Sequence, residues 1–323
     1  MANHSLVSGK ANQTISVESN TSQVSQLLYI VSVGVFVAVN FALAKYSVMS
    51  GISPLVVLAL PLLGAAAILL IYLVFKGQLK SLKVGHLRYY VVAGLLGVSL
   101  PNLASNFALQ ELEASTFSVL ITLSPLFTLL LSVPFQKQGL SFNRIIGIGI
   151  GFVAVSLVTL SPEFDLKDDG RILLLALSVP LFLAMGNIYR SKACPIDSDP
   201  IALATGVLCI QSLIWLPVSL SVDGIDGIYV VPHLNSLILL LMALISASSY
   251  LLTFKLQKLT DGLGFSQVGN VVTVTGVGIG ILFFSETFHY RLIIALVLLF
   301  VGLALTNAPS KPVTLFKNTQ RKI

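Results

Sequence analysis

Long uncharged stretches recur along this chain, and they are too long for strands. Cutting the sequence at every Asp, Glu, Lys and Arg leaves ten runs of 18 residues or more: 19–44, 46–75, 89–110, 114–136, 145–162, 172–189, 200–222, 227–254, 262–285 and 292–310. At 1.5 Å per residue, each is long enough for a helix to cross a hydrocarbon core of about 30 Å. The pattern predicts an all-α polytopic membrane protein with ten transmembrane helices, numbered here as spans 1 to 10. Residues 1–26 are polar, rich in Ser, Asn and Thr, and lack a basic n-region. They read as a disordered tail rather than a cleavable signal. Residues 310–323 form a short basic tail.

Composition narrows the function classes. Of 323 residues, 55% are hydrophobic and 10% charged, against about 25% charged in a soluble domain. A soluble enzyme, a secreted disulfide scaffold and a nucleic-acid binder are excluded. The net charge of +6 is then a matter of placement. With ten spans, the N-terminus, the even-numbered loops and the C-terminal tail share one side. That side holds Lys10, Lys76, Lys80, Lys83, Arg88, Lys137, Arg144, Arg190, Lys192, Lys255, Lys258, Lys311, Lys317, Arg321 and Lys322, whereas the other holds Lys45, Lys167, Arg171 and Arg291. Cytoplasmic loops carry the Lys/Arg excess, so both termini are expected in the cytoplasm. The lipid bilayer, through its anionic headgroups, is the expected counter-charge. Cys194 and Cys209 fall at different depths and imply neither a disulfide nor a metal framework. The glycosylation-type triplets at Asn12 and Asn20 would matter only on a lumenal side.

The chain also repeats itself. FALQEL at 107–112 recurs as FKLQKL at 254–259, an offset of 147 at which Asn40 meets Asn187 and Lys45 meets Lys192. With one residue inserted, Phe117-Ser118 falls on Phe265-Ser266, and 144–155 falls on 292–303. The offset covers five spans, an odd number, so the second copy enters the membrane inverted. Inverted repeats are a transporter construction, with the substrate held near the midplane between halves that rock around it. The plainer alternative is that duplication serves only insertion and packing.

The stretch FALQELEASTFSVLITLSPLFTLLLSVPFQKQGLSFNRIIGIGIGFVAVSLV resembles the EamA domain of the drug/metabolite transporter superfamily. It has an Ala-Leu pair closing span 3, a small-residue turn, Ser124-Pro125 in span 4 and a Gly-rich span 5. In the second half, FFSETFHYRLIIALVLLFVGLAL resembles the family's Glu-containing turn and last span, with Glu286 in the Glu position. The resemblance implies two EamA-like repeats, 27–162 and 172–309, and export of a small metabolite across a bacterial inner membrane. The chain departs from the pattern at Gln138, where that Glu is usual, and at Thr273, where a Pro is common.

Chemistry at membrane depth is limited to uncharged groups. The runs contain no charged residue by construction, and His4, His86, His233 and His289 lie outside the hydrophobic centres. Intramembrane proteolysis, metal chemistry and a deep proton relay lack their residues, so no enzyme, metal or cofactor is expected. The candidate substrate-binding residues are Asn40, Asn102, Asn106, Thr122, Asn187, Ser249, Tyr250, Asn270 and Thr273. An Asn amide unpaired in hydrocarbon costs several kcal/mol, so these groups face either a cavity or another helix. Pro101, Pro125 and Pro180 can kink their helices, and Gly-x-x-x-Gly spacings in spans 5 and 9 suit close helix contact. Glu286 and Arg291 read as a local ion pair or a helix-end contact, with gating as a lesser alternative.

A path without fixed charge suits an amino acid or a similar zwitterionic, uncharged or amphipathic small-molecule substrate. Two rivals remain. A nucleotide-sugar or phosphate-ester carrier would need Lys45, Arg190 or Lys192 to reach the cavity, and a membrane scaffold or receptor would transport nothing. A homodimer stays open.

Overall fold

The computed structural model describes residues 3–135, 141–159, 166–225, 233–287 and 289–307. Among these residues nine helices are long and apolar enough to cross a membrane: Val24–Met49, Pro54–Phe75, Val84–Ala108, Ala114–Phe135, Phe142–Thr159, Gly170–Ala193, Pro200–Asp223, Asn235–Leu259 and Gly262–Phe284. They are spans 1 to 9. The tenth, Tyr290–Asn307, has 18 residues, about 27 Å of helix. Ahead of span 1 the backbone continues as helix to Asn3, and no proline interrupts residues 1–53. Gln138 and the basic tail 310–323 lie outside the described residues.

Local chemistry sets the span ends. Ser53 accepts from the Leu55 amide with Pro54 opening span 2, and Asp199 accepts from the Ala202 amide with Pro200 opening span 7. Proline suits the first turn because its missing N–H has no partner there anyway. Three spans are irregular inside. In span 3 a π-helical segment, Leu95–Ser99, precedes Pro101, with the Leu100 amide donating to the Leu95 carbonyl. Span 4 is broken at Thr122, three residues before Pro125. Span 9 is broken at Gln267, between Gly262–Ser266 and Val268–Phe284.

The packing follows the internal repeat. Span 5 packs on span 10, span 2 on span 7 and span 4 on span 9, each pair being repeat mates. The remaining contacts mirror one another: span 1 lies against spans 8 and 9, as span 6 lies against spans 3 and 4. The bundle is all-helical and polytopic, and its contacts pair the helices in the way expected of two five-helix repeats. Spans 5 and 10 approach closely because glycine lines both faces: a Cβ on Gly147 would run into the Gly302 carbonyl oxygen, and a Cβ on Gly302 into that of Gly147. Small residues permit such backbone contact in a membrane, where lipid supplies no hydrophobic drive for helix association. The largest buried cluster joins both halves, with Phe117, Leu120, Leu123 and Leu126 beside Val272 and Leu299.

Candidate functional site

A cavity of about 120 Å³ lies between the halves, walled by spans 1 to 4 of one and 6, 8 and 9 of the other. Its walls are mostly apolar, with a few polar groups converging on it, the usual build of a small-molecule site. Six of the nine sequence candidates line it: Asn40, Asn102, Asn106, Asn187, Ser249 and Tyr250.

These side chains tie the walls together. Asn102 Nδ2 donates to the Val98 carbonyl at 2.7 Å and to the Tyr250 hydroxyl at 3.0 Å, joining span 3 to its mate, span 8. Asn106 Nδ2 donates to the Pro54 carbonyl at 3.1 Å. Asn40 Nδ2 donates to Ser246 Oγ at 2.9 Å, while its buried Oδ1 has no hydrogen-bond partner among the described residues.

The other three candidates do not face the cavity. Thr122 and Thr273 are buried between spans 4 and 9, with their hydroxyls 2.5 Å apart, and Thr273 Oγ1 also contacts the Ser118 carbonyl at 2.8 Å. The turn at Thr122 is tightened, its amide donating to the Val119 carbonyl three residues back, and the hydroxyl is satisfied along the seam between repeat mates. Asn270 donates to Gln267 Oε1 at 2.8 Å, across the break in its own span.

The expectation of a charge-free cavity is overturned by Arg190. Span 6 runs on to Ala193, past the uncharged run ending at 189, so Arg190 sits on the helix and on the Asn187 face, three residues on. Its side chain is only 2% exposed and lines the cavity. One terminal nitrogen, Nη2, donates to Asn187 Oδ1 at 3.0 Å. The Gln257 amide, turned with its oxygen toward the guanidinium, accepts from Nε at 2.8 Å and from Nη2 at 3.3 Å. The guanidinium carbon lies 5.4 Å from the Phe265 ring centroid, within cation–π range. Gly97 makes room for it: a Cβ there would stand 2.7 Å from that carbon. No Asp or Glu oxygen among the described residues comes within 4.0 Å of it. The i,i+3 pairing of Arg190 with a repeat-matched asparagine was the signal available in the sequence.

A second buried cation is handled differently. At the other end of the bundle, Lys45 Nζ lies 3.3 Å from Glu286 Oε1 and donates to the Leu112 carbonyl at 2.7 Å. The same carboxylate accepts from the Ala114 amide at 2.6 Å through Oε1 and from the Ser115 amide at 2.8 Å through Oε2. It therefore caps the first turn of span 4, where the helix dipole favours a negative charge. This clamp joins spans 1, 4 and 9. The expected local pair of Glu286 with Arg291 is not formed; Arg291 lies over the Tyr290 ring at 5.8 Å. The Lys45 ammonium is the more strongly placed partner, because it shares a buried site with the carboxylate.

Residues 24–160 match the model of the EamA-like transporter family. An uncharacterized transporter from Archaeoglobus fulgidus is 23% identical over 171 residues, 53% of this chain, and the match spans 60% of that relative's length. A solved crystal structure aligns with 89% of this chain and 97% of its own at TM-score 0.57 and 16% identity, a likeness of fold alone. The first half of this polytopic helical bundle, residues 24–160, is thus similar to an EamA-like transporter domain, the domain of the drug/metabolite transporter superfamily that the motifs of spans 3 to 5 resemble.

Proposed function

We propose that the protein is a secondary transporter that moves a small metabolite, an amino acid or a similar polar or amphipathic compound, by alternating access and in the export direction. The observation that carries this reading is the cavity between inverted halves, with polar side chains contributed by both. Inverted-repeat carriers place their substrate at that interface. The domain assignment, the bacterial inner membrane and the cytoplasmic termini belong to the same proposal, supported by the repeat and by the Lys/Arg sorting. The second reading, a phosphate-ester or nucleotide-sugar carrier, is favoured by one observation, the guanidinium of Arg190 in the cavity wall.

Counterflow in proteoliposomes tests transport. Accelerated exchange of at least one compound from a broad metabolite panel is expected, and none would leave a scaffold or receptor. Orientation is tested in a background lacking Cys194 and Cys209. Asn12→Cys and Asp168→Cys should label from opposite faces, and labelling from one face would overturn the assignment of the termini.

A further inference from the structure

A guanidinium at 2% exposure in a membrane bundle is costly unless a counter-charge meets it. The contacts of Arg190 are two amide oxygens, an aromatic face and the Gly97 backbone, none of them anionic. Nε and Nη2 are occupied, while Nη1 donates to none of the described residues. It lies on the Gly97 side, and Gly97 is itself part of the cavity wall. The protein therefore holds the guanidinium by one edge and leaves the other toward the cavity.

We propose that Arg190 is an anion anchor, and that the ligand of this cavity is a small monocarboxylate carrying a hydrogen-bond donor. The cavity lining contains no second charged residue among the described residues. One guanidinium neutralises one negative charge, so a carboxylate leaves the site electrically balanced. A phosphate ester bearing nearly two charges would bring an uncompensated charge into low dielectric. The donor requirement comes from Asn40, which lines the same cavity from span 1 and whose buried Oδ1 has no hydrogen-bond partner among the described residues. A hydroxyl satisfies it and keeps the site balanced. An ammonium satisfies the hydrogen bond but leaves one positive charge uncompensated, so a hydroxy acid suits the site better than a zwitterion. The inference rests on the proposed transport only in treating this ligand as the substrate.

The full chain, purified in detergent, is titrated by thermal shift with L-lactate, L-alanine, L-phenylalanine, the amide of each, and glycerol 3-phosphate. At least one acid should raise the melting temperature while its amide does not. Arg190→Gln should weaken that acid at least tenfold, and Asn40→Ala should weaken it several-fold. Arg190→Lys, which keeps the charge, should fall between. Gly97→Ala approaches the same guanidinium from the backbone side and should also weaken the acid, which covers the case where Arg190→Gln does not fold. Lys192→Gln, at an exposed cation two residues away, should bind like wild type. The proposal is overturned if no acid stabilises the protein, if amides bind as well as acids, if glycerol 3-phosphate binds more tightly, or if Arg190→Gln binds within twofold of wild type. Counterflow with the same compounds separates the two readings. Acid-dependent stabilisation without exchange removes transport and keeps the anchor, whereas exchange of a neutral compound that survives Arg190→Gln does the reverse.

Discussion

Spans 1 and 6 descend from one pattern, yet they treat charge in opposite ways. At the offset of 147, Asn40 matches Asn187, Leu43 matches Arg190 and Lys45 matches Lys192. In span 1 the leucine faces no special chemistry, and Lys45 is buried against Glu286 and the first amides of span 4. In span 6 the equivalent lysine is exposed, resting 5.9 Å from the Phe135 ring centroid. The buried cation there is Arg190, with no carboxylate beside it. Duplication preserved the helix faces and the asparagines. The anion did not follow, since the position matching Glu286 is Gln138. A buried charge with a partner reads as architecture; a buried charge without one reads as a place kept for something else.

The sharpest way to break this comparison is to remove the clamp's anion. Glu286→Gln strands the buried ammonium of Lys45 and two amides, and should destabilise the protein by about 3–5 kcal/mol, read by chemical denaturation in a fixed lipid–detergent mixture. The double variant Lys45→Met/Glu286→Gln should recover much of that loss, because no lone charge remains. A loss as large in the double variant would show that the packing, not the ion pair, holds the three spans. Next in size is Gly97→Ala, which pushes a methyl into the guanidinium. It should cost about 1–3 kcal/mol by overpacking and leave the clamp's response to Glu286→Gln unchanged.

Smaller effects refine the contrast. Without ligand, Arg190→Gln should cost no more than about 1 kcal/mol, since losing a desolvated charge offsets the lost hydrogen bonds. A loss comparable to that of Glu286→Gln would mean that Arg190 is structural after all. Smallest is the Thr122–Thr273 contact. A double-mutant cycle with valine at both positions should give a coupling near 0.6 kcal/mol, the usual size in membrane bundles. Ligand affinity should not change, because neither hydroxyl reaches the cavity.

The spans and their pairing were legible in the sequence because charge cannot stay in hydrocarbon without reason, and because the repeat fixes which helices become mates. The asparagines of spans 1, 3 and 6 were legible for the same reason: an amide at that depth must face something polar. Thr122, Thr273 and Asn270 fall outside the cavity lining. The two hydroxyls bond along the seam between spans 4 and 9, and the Asn270 amide nitrogen bonds across the break in its own span. Composition does not distinguish such places from a cavity. Arg190 entered only as a candidate of the rival carrier, beside Lys45 and Lys192, because a long side chain near a span end usually reaches for the interface. Here it folds inward, onto Asn187 and Gln257.

The widened turn in span 3 has a rotational consequence. Residues five apart on a regular α-helix stand about 140° apart around the axis, which would put Gly97 and Asn102 on different faces. Where residue i+5 bonds back to residue i, as Leu100 does to Leu95, the helix is underwound and that angle shrinks. Both residues then face the same hollow. If the turn tightened to an α-helix, the half carrying Asn102 and Asn106 would turn relative to the half that cradles Arg190. The widened turn just before Pro101 thus sets the angle between the two halves of span 3, and with it which groups share one compartment.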